Sequence, residues 1–381
     1  MTETILITGA TGIVGIEIVR EFLRRADTPA LLILLRGTAE EIEAKRRWVM
    51  QWAEVGDEQA GQVEVVSGDV TLPCLGLSEP DRLRIESITG IIHAAAGTRF
   101  DQTPDLAFLN NVTGMRNLLT LARSCPRLER IAVVSTAFVA GRREGVIREE
   151  DLDFAAGFNN EYEHSKALSE REARSFMADL PIAIYRLSLV VGRRDDGRIS
   201  RLTGLYPILR LFHEGLLAMI TGDPDQAIDL IPSDFAARAI IHLYEQAFAA
   251  GTTYHVCAGQ TRSFALGDLF PAVDSYIARG DPSWEGRGQP LPVMVTPEVF
   301  RDFVDIVDLT GNPRLRQIIQ QMRTVTRQLE TPRIFDTTMF DCALVRNGVG
   351  NGIALPHARE WLEPIVAHGV DTHWQQPRRI G

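Results

Sequence analysis

The sequence is poor in cysteine, and its few cysteines are scattered. Its 381 residues include four cysteines, at positions 74, 125, 257 and 342, and no two of them form a Cys-x-x-Cys pair. This distribution argues against a disulfide framework and against a cysteine-built metal site. We therefore expect reduced thiols in a cytoplasmic protein.

The chain also lacks an excess of basic residues and a long apolar run. Its 40 Lys and Arg residues face 50 Asp and Glu residues, so the net charge of −10 argues against a nucleic-acid partner. No apolar stretch approaches the roughly 20 residues that a membrane-spanning helix needs. The first strand-like run begins at Thr4, which leaves no room for a signal peptide. We expect no membrane span.

What the chain does contain is a regular alternation of strands and helices. Apolar, strand-like runs occur at 4–8, 30–35, 63–67, 90–94, 130–135, 182–191 and 253–257. Amphipathic helical stretches lie between most of them, including Gly15–Arg25, Leu106–Ser124 and Glu161–Asp179. This rhythm predicts an α/β fold, a Rossmann-type doubly wound parallel sheet of about seven strands.

The pattern changes after Gly192, where a loop rich in Arg, Asp and Gly leads to a predicted helix over Leu205–Ile220. From about residue 264 the sequence is helical and interrupted by prolines. We predict a nucleotide-binding domain formed by 1–192 plus 231–260. A smaller, mostly helical substrate-binding or cap domain is expected from 193–230 plus 261–381.

The first strand leads directly into a glycine loop, Gly-x-x-Gly-x-x-Gly, at Gly9, Gly12 and Gly15. The first glycine permits a tight turn, and the second lets a pyrophosphate approach the backbone. The third lets the following helix pack closely on the strand with its N-terminus aimed at phosphate charge. Because the strand, turn and helix follow one another, the loop predicts dinucleotide binding.

Two hydroxyl groups and a lysine form the candidate catalytic set. Tyr162 and Lys166 are four residues apart on a predicted helix and share one face. A neighbouring ammonium group is expected to lower the tyrosine pKa, which would make Tyr162 a usable general acid or base. Ser135 and Thr136 end a central strand at the edge where ligands bind, so a hydroxyl there can donate to a substrate carbonyl.

The end of the second strand indicates the cofactor. An acidic residue at this position would bind the ribose 2′-hydroxyl of NAD, but the sequence has Leu34, Leu35, Arg36 and Gly37. An arginine here suits a 2′-phosphate. We therefore expect NADP(H) as the cofactor.

In this order, the glycine loop, the His93-Ala-Ala-Ala segment, Ser135-Thr136 and Tyr162-x-x-x-Lys166 resemble the extended short-chain dehydrogenase/reductase superfamily. The resemblance implies that Thr136 and Tyr162 act on the substrate carbonyl, and that Lys166 binds the nicotinamide ribose. It also implies that Asn111 is a structural helix residue. The candidate catalytic residues are thus Thr136, Tyr162 and Lys166. The candidate cofactor-binding residues are Gly9, Thr11, Gly12, Ile13, Val14, Gly15, Arg36, Asp69, Val70, Ala94, Ala95, Ala96, Ser135, Tyr162, Lys166, Leu187 and Leu189.

Longer segments resemble one subgroup, the thioester reductase and fatty acyl reductase (male-sterility-type) family. These segments are Arg99-Phe-Asp, Ser135-Thr-Ala-Phe-Val-Ala-Gly, Ile147-Arg-Glu-Glu-Asp-Leu, Phe158-Asn-Asn-Glu-Tyr-Glu-His-Ser-Lys and Asp229-Leu-Ile-Pro-Ser-Asp. The resemblance covers residues 4–260. It implies NADPH-dependent reduction of an acyl thioester, presented on CoA or a carrier protein, to an aldehyde and possible further reduction to an alcohol.

Other functions remain open at this point. A hydroxysteroid-type or hydroxyacyl dehydrogenase would share these motifs, and a nucleotide-sugar epimerase would share the fold. A non-catalytic NADP(H)-sensing protein would be expected to lack Tyr162 or Lys166. On the substrate side, Arg193, Arg194 and Arg198 are candidates for binding the phosphates of CoA or phosphopantetheine. Either a monomer or a homodimer is compatible with the sequence.

Overall fold

The computed structural model describes residues 3–284, 287–346 and 353–377 and contains a long alternation of strands and helices. The strands are β1 Thr4–Thr8, β2 Ala30–Leu35, β3 Val63–Ser67, β4 Gly90–His93, β5 Arg130–Thr136, β6 Gly145–Ile147, β7 Ile182–Leu187, β8 Leu189–Val191, β9 Met219–Thr221, β10 Ala227–Ile228, β11 Leu230–Pro232, β12 Thr253–Val256, β13 Phe264–Ala265, β14 Val293–Val295 and β15 Arg333–Phe335.

The helices are α1 Ile13–Leu23, α2 Ala39–Ala53, α3 Asp57–Ala60, α4 Glu79–Glu86, α5 Pro104–Phe108, α6 Gly114–Ala122, α7 Glu161–Ser175, α8 Tyr206–His213, α9 Ser233–Glu245, α10 Gly259–Arg262, α11 Leu266–Gly280, α12 Pro297–Thr310, α13 Pro313–Leu329, α14 Thr338–Arg346 and α15 Leu362–Asp371. A π-helical turn, Leu109–Thr113, joins α5 to α6. No helix within the described ranges is long and apolar enough to cross a bilayer.

Seven strands form one parallel sheet in the order β12-β7-β5-β4-β1-β2-β3. The chain starts in the middle and winds first to one edge and then to the other, so the direction of winding reverses between β1 and β4. In such sheets ligands bind beyond the carboxyl ends of the strands at this reversal. The doubly wound fold predicted from the sequence is therefore confirmed.

Alternate residues of the central strands supply the two sides of the core. Ile5 and Ile7 belong to the apolar cluster beneath α1, α2 and α9, whereas Leu6 belongs to the cluster beneath α4, α6 and α7. All three side chains are fully buried. This explains why the strands are nearly continuous apolar runs, because a parallel sheet buries both of its faces.

Four short strand pairs lie outside the seven-stranded sheet. β8 pairs with β11, β9 with β14, β10 with β13 and β15 with β6. The apolar cluster beneath α1 continues through Phe212 of α8, Leu269 of α11 and Ile365 of α15. The C-terminal part is mostly helical, as expected, and it covers the carboxyl edge of the sheet near β5. The predicted domain boundaries stay a prediction.

Two predicted elements were wrong in their extent. The strand expected over 182–191 divides at Ser188, because its neighbours β5 and β12 end at Thr136 and Val256, opposite Leu187. The helix expected over Leu205–Ile220 ends at His213. Gly215, with a φ of +75°, takes a left-handed conformation that terminates the helix, and the chain continues into β9.

Candidate active site

The glycine loop between β1 and α1 has no space for a side chain at Gly9 or at Gly15. Gly9 has a φ of +75°, and a Cβ built on it would lie 2.5 Å from the Ala94 backbone at the end of β4. A Cβ on Gly15 would lie 2.2 Å from the Gly9 carbonyl oxygen. The Gly12 amide donates to that same oxygen at 2.8 Å and closes the turn. Each glycine therefore meets a backbone requirement of the strand-turn-helix unit.

The N-terminus of α1 is accessible at the carboxyl edge of the sheet. Gly12 caps the helix with extended backbone, the first turn has no acidic residue, and no described side chain caps it. Residues 11–14 are partly exposed, whereas Gly15 and Ile16 are buried. The first-turn N–H groups and the positive end of the helix dipole therefore suit the pyrophosphate of a dinucleotide.

The ends of β1 and β4 are linked across the reversal point. The Thr8 hydroxyl lies 2.7 Å from Nδ1 of His93 and accepts a hydrogen bond from the Ala95 amide at 3.3 Å. Burial, together with the Lys166 charge, lowers the pKa of His93 to about 3, so its ring is neutral. Residues 94–96 are partly exposed. They leave a strip of small side chains beside the glycine loop, where a dinucleotide can lie against the backbone.

Opposite charges meet at the ends of β2 and β3. Arg36 follows β2, its side chain is 66% exposed, and its guanidinium lies 3.6 Å from a carboxylate oxygen of Asp69. The other carboxylate oxygen of Asp69 accepts hydrogen bonds from the amide and the hydroxyl of Thr71, both at 2.9 Å. Val70 accepts a hydrogen bond from the Asn117 side chain at its carbonyl. Asp69 is thus held in place, while Arg36 is a solvent-facing cation able to bind a phosphate.

The three predicted catalytic residues converge on the end of β5. The Thr136 hydroxyl donates to the Leu187 carbonyl at 3.2 Å and interacts with the Tyr162 phenol. The Tyr162 ring packs edge to face on Phe100, with centroids 5.5 Å apart. Lys166 donates from Nζ to the Val134 carbonyl at 3.0 Å. The helix α7 therefore presents a phenol and an ammonium group to one end of one strand.

The pKa of Tyr162 is raised, whereas the neighbouring ammonium group was expected to lower it. Burial raises the pKa of Tyr162 to about 12, and the hydrogen bond with Thr136 acts in the opposite direction. Burial lowers the pKa of Lys166 to about 8, and the charge of Glu170 opposes this fall. At neutral pH Tyr162 therefore carries its proton, as a proton donor must, while Lys166 is an ammonium group close to its titration point.

Ser135 was predicted to contact the cofactor, but its hydroxyl is used elsewhere. It donates to Oε1 of Glu170 at 2.5 Å, and the Glu170 carboxylate also accepts hydrogen bonds from Arg186 at 2.8–3.1 Å. Ser135, Glu170 and Arg186 are all at least 95% buried. The side chain of Ser135 is thus part of a buried polar network between α7 and the sheet, and its predicted cofactor contact stays a prediction.

Asn111 joins the loop after β4 to the catalytic helix. Its side chain accepts a hydrogen bond from the Gly97 amide at 2.7 Å and donates to the Gly97 carbonyl at 3.1 Å and to the Ser165 hydroxyl at 2.8 Å. It lies in the π-helical turn, which brings this side chain inward. The arrangement agrees with the structural role expected for it.

A cavity with a mainly apolar lining and a volume of about 70 Å³ lies beyond the ends of β5 and β7. Phe100, which packs on Tyr162, forms part of its wall, so the cavity lies beside the candidate catalytic tyrosine and reaches residues of the C-terminal part of the chain. Its apolar lining is Phe100, Phe138, Leu189, Leu205, Ile220, Ala227, Ile228, Leu266, Leu269, Leu329 and Phe335. Leu189, predicted as a cofactor contact, lies on this substrate side. Its neighbour Leu187 is buried at the end of β7.

Few polar side chains reach the cavity. Arg333 is buried, with 7% of its surface exposed, and this burial lowers its pKa. Its guanidinium lies 5.2 Å over the Phe138 ring and donates a hydrogen bond to the Gly141 carbonyl. Asp229 accepts hydrogen bonds from the amides of Ala258 and Gly259 at 2.7 and 2.8 Å, and burial raises its pKa. No sequence motif marks Arg333, because only the pairing of β15 with β6 brings it to the site.

The arginine cluster predicted to bind substrate phosphates does not face the cavity. Arg193 is fully buried and pairs with Asp196, and Arg198 pairs with Glu54. Both guanidinium groups stack on Trp52, at 5.5 and 5.0 Å. Because Glu54 and Trp52 lie at the end of α2, which leads away from the carboxyl edge, these arginines attach the loop to α2.

The third arginine of that cluster is also engaged. Arg194 binds Asp234 at 3.1 Å and the Ala354 carbonyl at 3.2 Å. The prediction of a phosphate site at Arg193, Arg194 and Arg198 was therefore wrong. Asp234, the partner of Arg194, is 40 residues away in the sequence, and Glu54, the partner of Arg198, is 144 residues away. The spacing of the arginines alone therefore does not indicate these partners.

Comparison with known proteins supports the family resemblance that the sequence motifs indicate. The profile of the family described as "Male sterility protein" matches residues 7–240. The fatty acyl-CoA reductase wat of Drosophila melanogaster is 26% identical over 274 residues, which span 62% of this chain and 53% of the fly protein. The chain thus covers about half the length of that relative.

Solved structures share the fold. The terminal R domain of the myxalamid PKS-NRPS biosynthetic pathway superposes with a TM-score of 0.79 at 23% identity, covering 98% of this chain and 92% of the other. The reductase (R) domain of a nonribosomal peptide synthetase from Mycobacterium tuberculosis superposes with a TM-score of 0.67 at 23% identity, covering 98% and 93%. The similarity therefore extends through the C-terminal part, where no sequence motif was evident.

Proposed function

The chain belongs to the male sterility protein family of NAD(P)-dependent oxidoreductases, within the extended short-chain dehydrogenases/reductases, and we propose that it reduces an acyl thioester to an aldehyde. The observation that carries this proposal is the junction of Tyr162 with the apolar cavity through Phe100. A cavity lined almost wholly by apolar side chains suits an acyl chain better than a sugar nucleotide.

The residues at the carboxyl edge fit a dinucleotide. The glycine loop and the α1 N-terminus would hold the pyrophosphate, and residues 94–96 would lie under the nicotinamide half. When bound, a reduced nicotinamide supplies a hydride. Lys166 of α7, which lies against β5, would donate to the nicotinamide ribose.

The protein groups then supply the proton. As the carbonyl carbon of the thioester accepts the hydride, Tyr162 would donate its proton to the carbonyl oxygen. The Thr136 hydroxyl would turn from the Leu187 carbonyl to donate to the same oxygen and orient it. The product is a hemithioacetal. Its hydroxyl group loses a proton and the sulfur gains one as the C–S bond breaks, which releases the thiol and leaves an aldehyde. The high pKa of Tyr162 keeps the phenol protonated before the reaction. Lys166, one helical turn away on the same face of α7, would stabilise the phenolate that forms.

We further propose that the cofactor is NADPH. The support is the exposed Arg36 at the end of β2, in the place where an acidic residue would select NAD. Its present partner, Asp69, is 3.6 Å away on the protein surface, a weak pairing that a 2′-phosphate can replace. The acyl group would arrive on CoA, the carrier in the name of the fly relative, or on a carrier protein.

The test is a substrate panel with purified protein. NADPH oxidation should follow the addition of acyl-CoA thioesters, while the matching free fatty acids, sugar nucleotides and hydroxysteroids should give none. Mass spectrometry of the trapped product should show an aldehyde, or an alcohol if a second hydride is transferred. Oxidation or reduction confined to a hydroxysteroid or a sugar nucleotide would contradict the proposal and favour a dehydrogenase or an epimerase.

A further inference from the structure

A buried carboxylate stands one helical turn beyond the candidate catalytic lysine. On α7, Tyr162, Lys166 and Glu170 follow one another at intervals of four residues, so they share the face that packs on β5. Glu170 is 1% exposed and Lys166 is 3% exposed. The reduction proposed above uses Tyr162 and Lys166 but assigns nothing to Glu170.

Helix α7 is fixed to β5 at two adjacent residues. Lys166 donates to the carbonyl of Val134 at 3.0 Å, and the next residue, Ser135, donates its hydroxyl to Glu170 at 2.5 Å. The Glu170 contact therefore sets where α7 sits along the strand, and so where the Lys166 side chain meets it.

Glu170 is itself anchored from the neighbouring strand. Arg186 of β7 is fully buried and binds both carboxylate oxygens, with Nε at 3.0 and 3.1 Å and a terminal nitrogen at 2.8 Å. Arg186 also donates to the carbonyls of Glu149 and Asp151, at 3.2 and 2.7 Å. Burial by itself raises the pKa of Glu170, but Arg186 and Ser135 hold it below its ordinary value, so the carboxylate is ionised.

The charges around Lys166 favour an effect on its protonation. In the described part of the chain, Tyr162 and Glu170 lie on the same helix, His93 ends β4, and Arg186 of β7 lies behind Glu170. Tyr162 and His93 are neutral at neutral pH, as their pKa values of about 12 and about 3 require. Glu170 is the anion whose charge opposes the loss of the Lys166 proton on burial.

We propose that Glu170 is a positioning residue that, anchored by Arg186 and Ser135, seats Lys166 against β5 and keeps it an ammonium group at working pH. Removing the carboxylate leaves desolvation unopposed, so Lys166 deprotonates at lower pH. A neutral amine can neither stabilise the Tyr162 phenolate nor bind the ribose as a cation. The inference rests on the proposed catalytic role of Lys166, but its central test needs neither substrate nor cofactor.

The composition of the chain makes that test direct. The sequence contains two lysines, Lys45 and Lys166. Protein labelled with ¹³C and ¹⁵N in lysine therefore gives two ε-amine signals, and a Lys45→Arg variant assigns them. An NMR titration then reads the pKa of Lys166 in the intact protein. In the parent we expect a midpoint near 8.

In Glu170→Gln we expect the Lys166 midpoint to fall by about one pH unit. Such a fall lowers the protonated fraction at pH 8 about fivefold and changes it little at pH 6. NADPH affinity and kcat should therefore drop several-fold at pH 8 and much less at pH 6. Glu172→Gln, on the same helix but paired with the exposed Arg116, is the matched control and should leave the Lys166 midpoint in place.

Two further variants cover the case in which Glu170→Gln leaves Arg186 unpaired and fails to fold. Glu170→Gln combined with Arg186→Gln removes the ion pair as a unit, and the Lys166 midpoint should still fall. Glu170→Asp keeps the charge but shortens its reach, so the midpoint should stay near that of the parent while kcat decreases. A Lys166 midpoint unchanged in the double variant or in Glu170→Gln would overturn the proposal. A failed thioester assay would bear only on the proposed function, since the NMR midpoint is independent of it.

Discussion

Gly9→Ala tests how tightly the β1–β4 junction is built. Gly9 has a φ of +75°, and the added methyl would lie 2.5 Å from the carbonyl carbon and oxygen of Ala94 and from the Ala95 nitrogen. All three are backbone atoms, and the Ala94 amide is hydrogen-bonded to Thr8 at 3.1 Å. The methyl can therefore be accommodated only if the loop or the end of β4 moves.

Two costs add at this position. A left-handed conformation costs a residue other than glycine about 1–2 kcal/mol, and forcing a methyl into packed backbone costs about 1–3 kcal/mol more. We expect Gly9→Ala to lower the free energy of unfolding by about 2–5 kcal/mol. Cofactor affinity should fall as well, because the displaced segment includes the strip on which a dinucleotide would lie.

Matched controls separate the two costs in urea denaturation and in cofactor titration. Gly251 has a φ of +80° and nothing within 4 Å of a built Cβ, so Gly251→Ala measures the backbone cost alone. Gly12 has a negative φ and a nearest contact of 3.2 Å, so Gly12→Ala should weaken cofactor binding with little loss of stability. If Gly9→Ala is no less stable than Gly251→Ala, the reasoning on the close approach to Ala94 is wrong.

Three further predictions concern the cofactor, the buried charge and the acyl cavity. Arg36→Asp should reverse the preference from NADPH to NADH, since it removes a phosphate ligand and adds repulsion; equal affinities for both cofactors in the parent would contradict the assignment. Burial raises the pKa of Glu17 from 4.5 to about 7, so the protein loses stability as the pH rises from 4.5 to 7, by about 3 kcal/mol in all. Glu17→Gln still accepts the hydrogen bond from Trp52. Its denaturation midpoint should therefore be higher than that of the parent at pH 8 but not near pH 4.5. Ala227→Phe should narrow the cavity and lower kcat/KM for long acyl chains by about fourfold per excluded methylene, while short chains react as before; equal losses for all lengths would show that the acyl chain lies elsewhere.

Local sequence patterns were sufficient for the sheet and for the pieces of the site that follow its strands. The glycine loop, Arg36, Thr136 and the Tyr162–Lys166 pair are each set by a short segment whose place at the carboxyl edge follows from the βαβ order. Their positions could therefore be predicted without knowing any distant contact. The buried strands could be predicted in the same way, because a continuous apolar run in a parallel sheet forms a strand that is buried on both faces.

Features that depend on distant partners could not be predicted. Ser135 precedes Thr136 by one residue, but only the packing of α7 on β5 decides that its hydroxyl meets Glu170. Arg198 is a loop cation in the sequence, and its pairing with Glu54 spans 144 residues. Arg333 enters the site through a three-residue strand that has no motif of its own.

The raised pKa of Tyr162 could not be predicted for a related reason. The spacing of Tyr162 and Lys166 predicts attraction between an ammonium group and a phenolate, which would lower the tyrosine pKa. Desolvation depends instead on what covers the ring, and Phe100 and the end of β5 do so here. The consequence is a phenol that keeps its proton until the carbonyl oxygen needs it.

The most direct test of the proposed chemistry is Tyr162→Phe, measured for cofactor binding and for turnover of an acyl thioester. The variant keeps the ring that packs on Phe100, so it should fold and bind the cofactor as the parent does, as judged by fluorescence titration. Loss of a general acid should lower kcat about 10²–10⁴-fold. A Tyr162→Phe variant that binds the cofactor and reduces the thioester within a few-fold of the parent would contradict the assignment of Tyr162 as the proton donor.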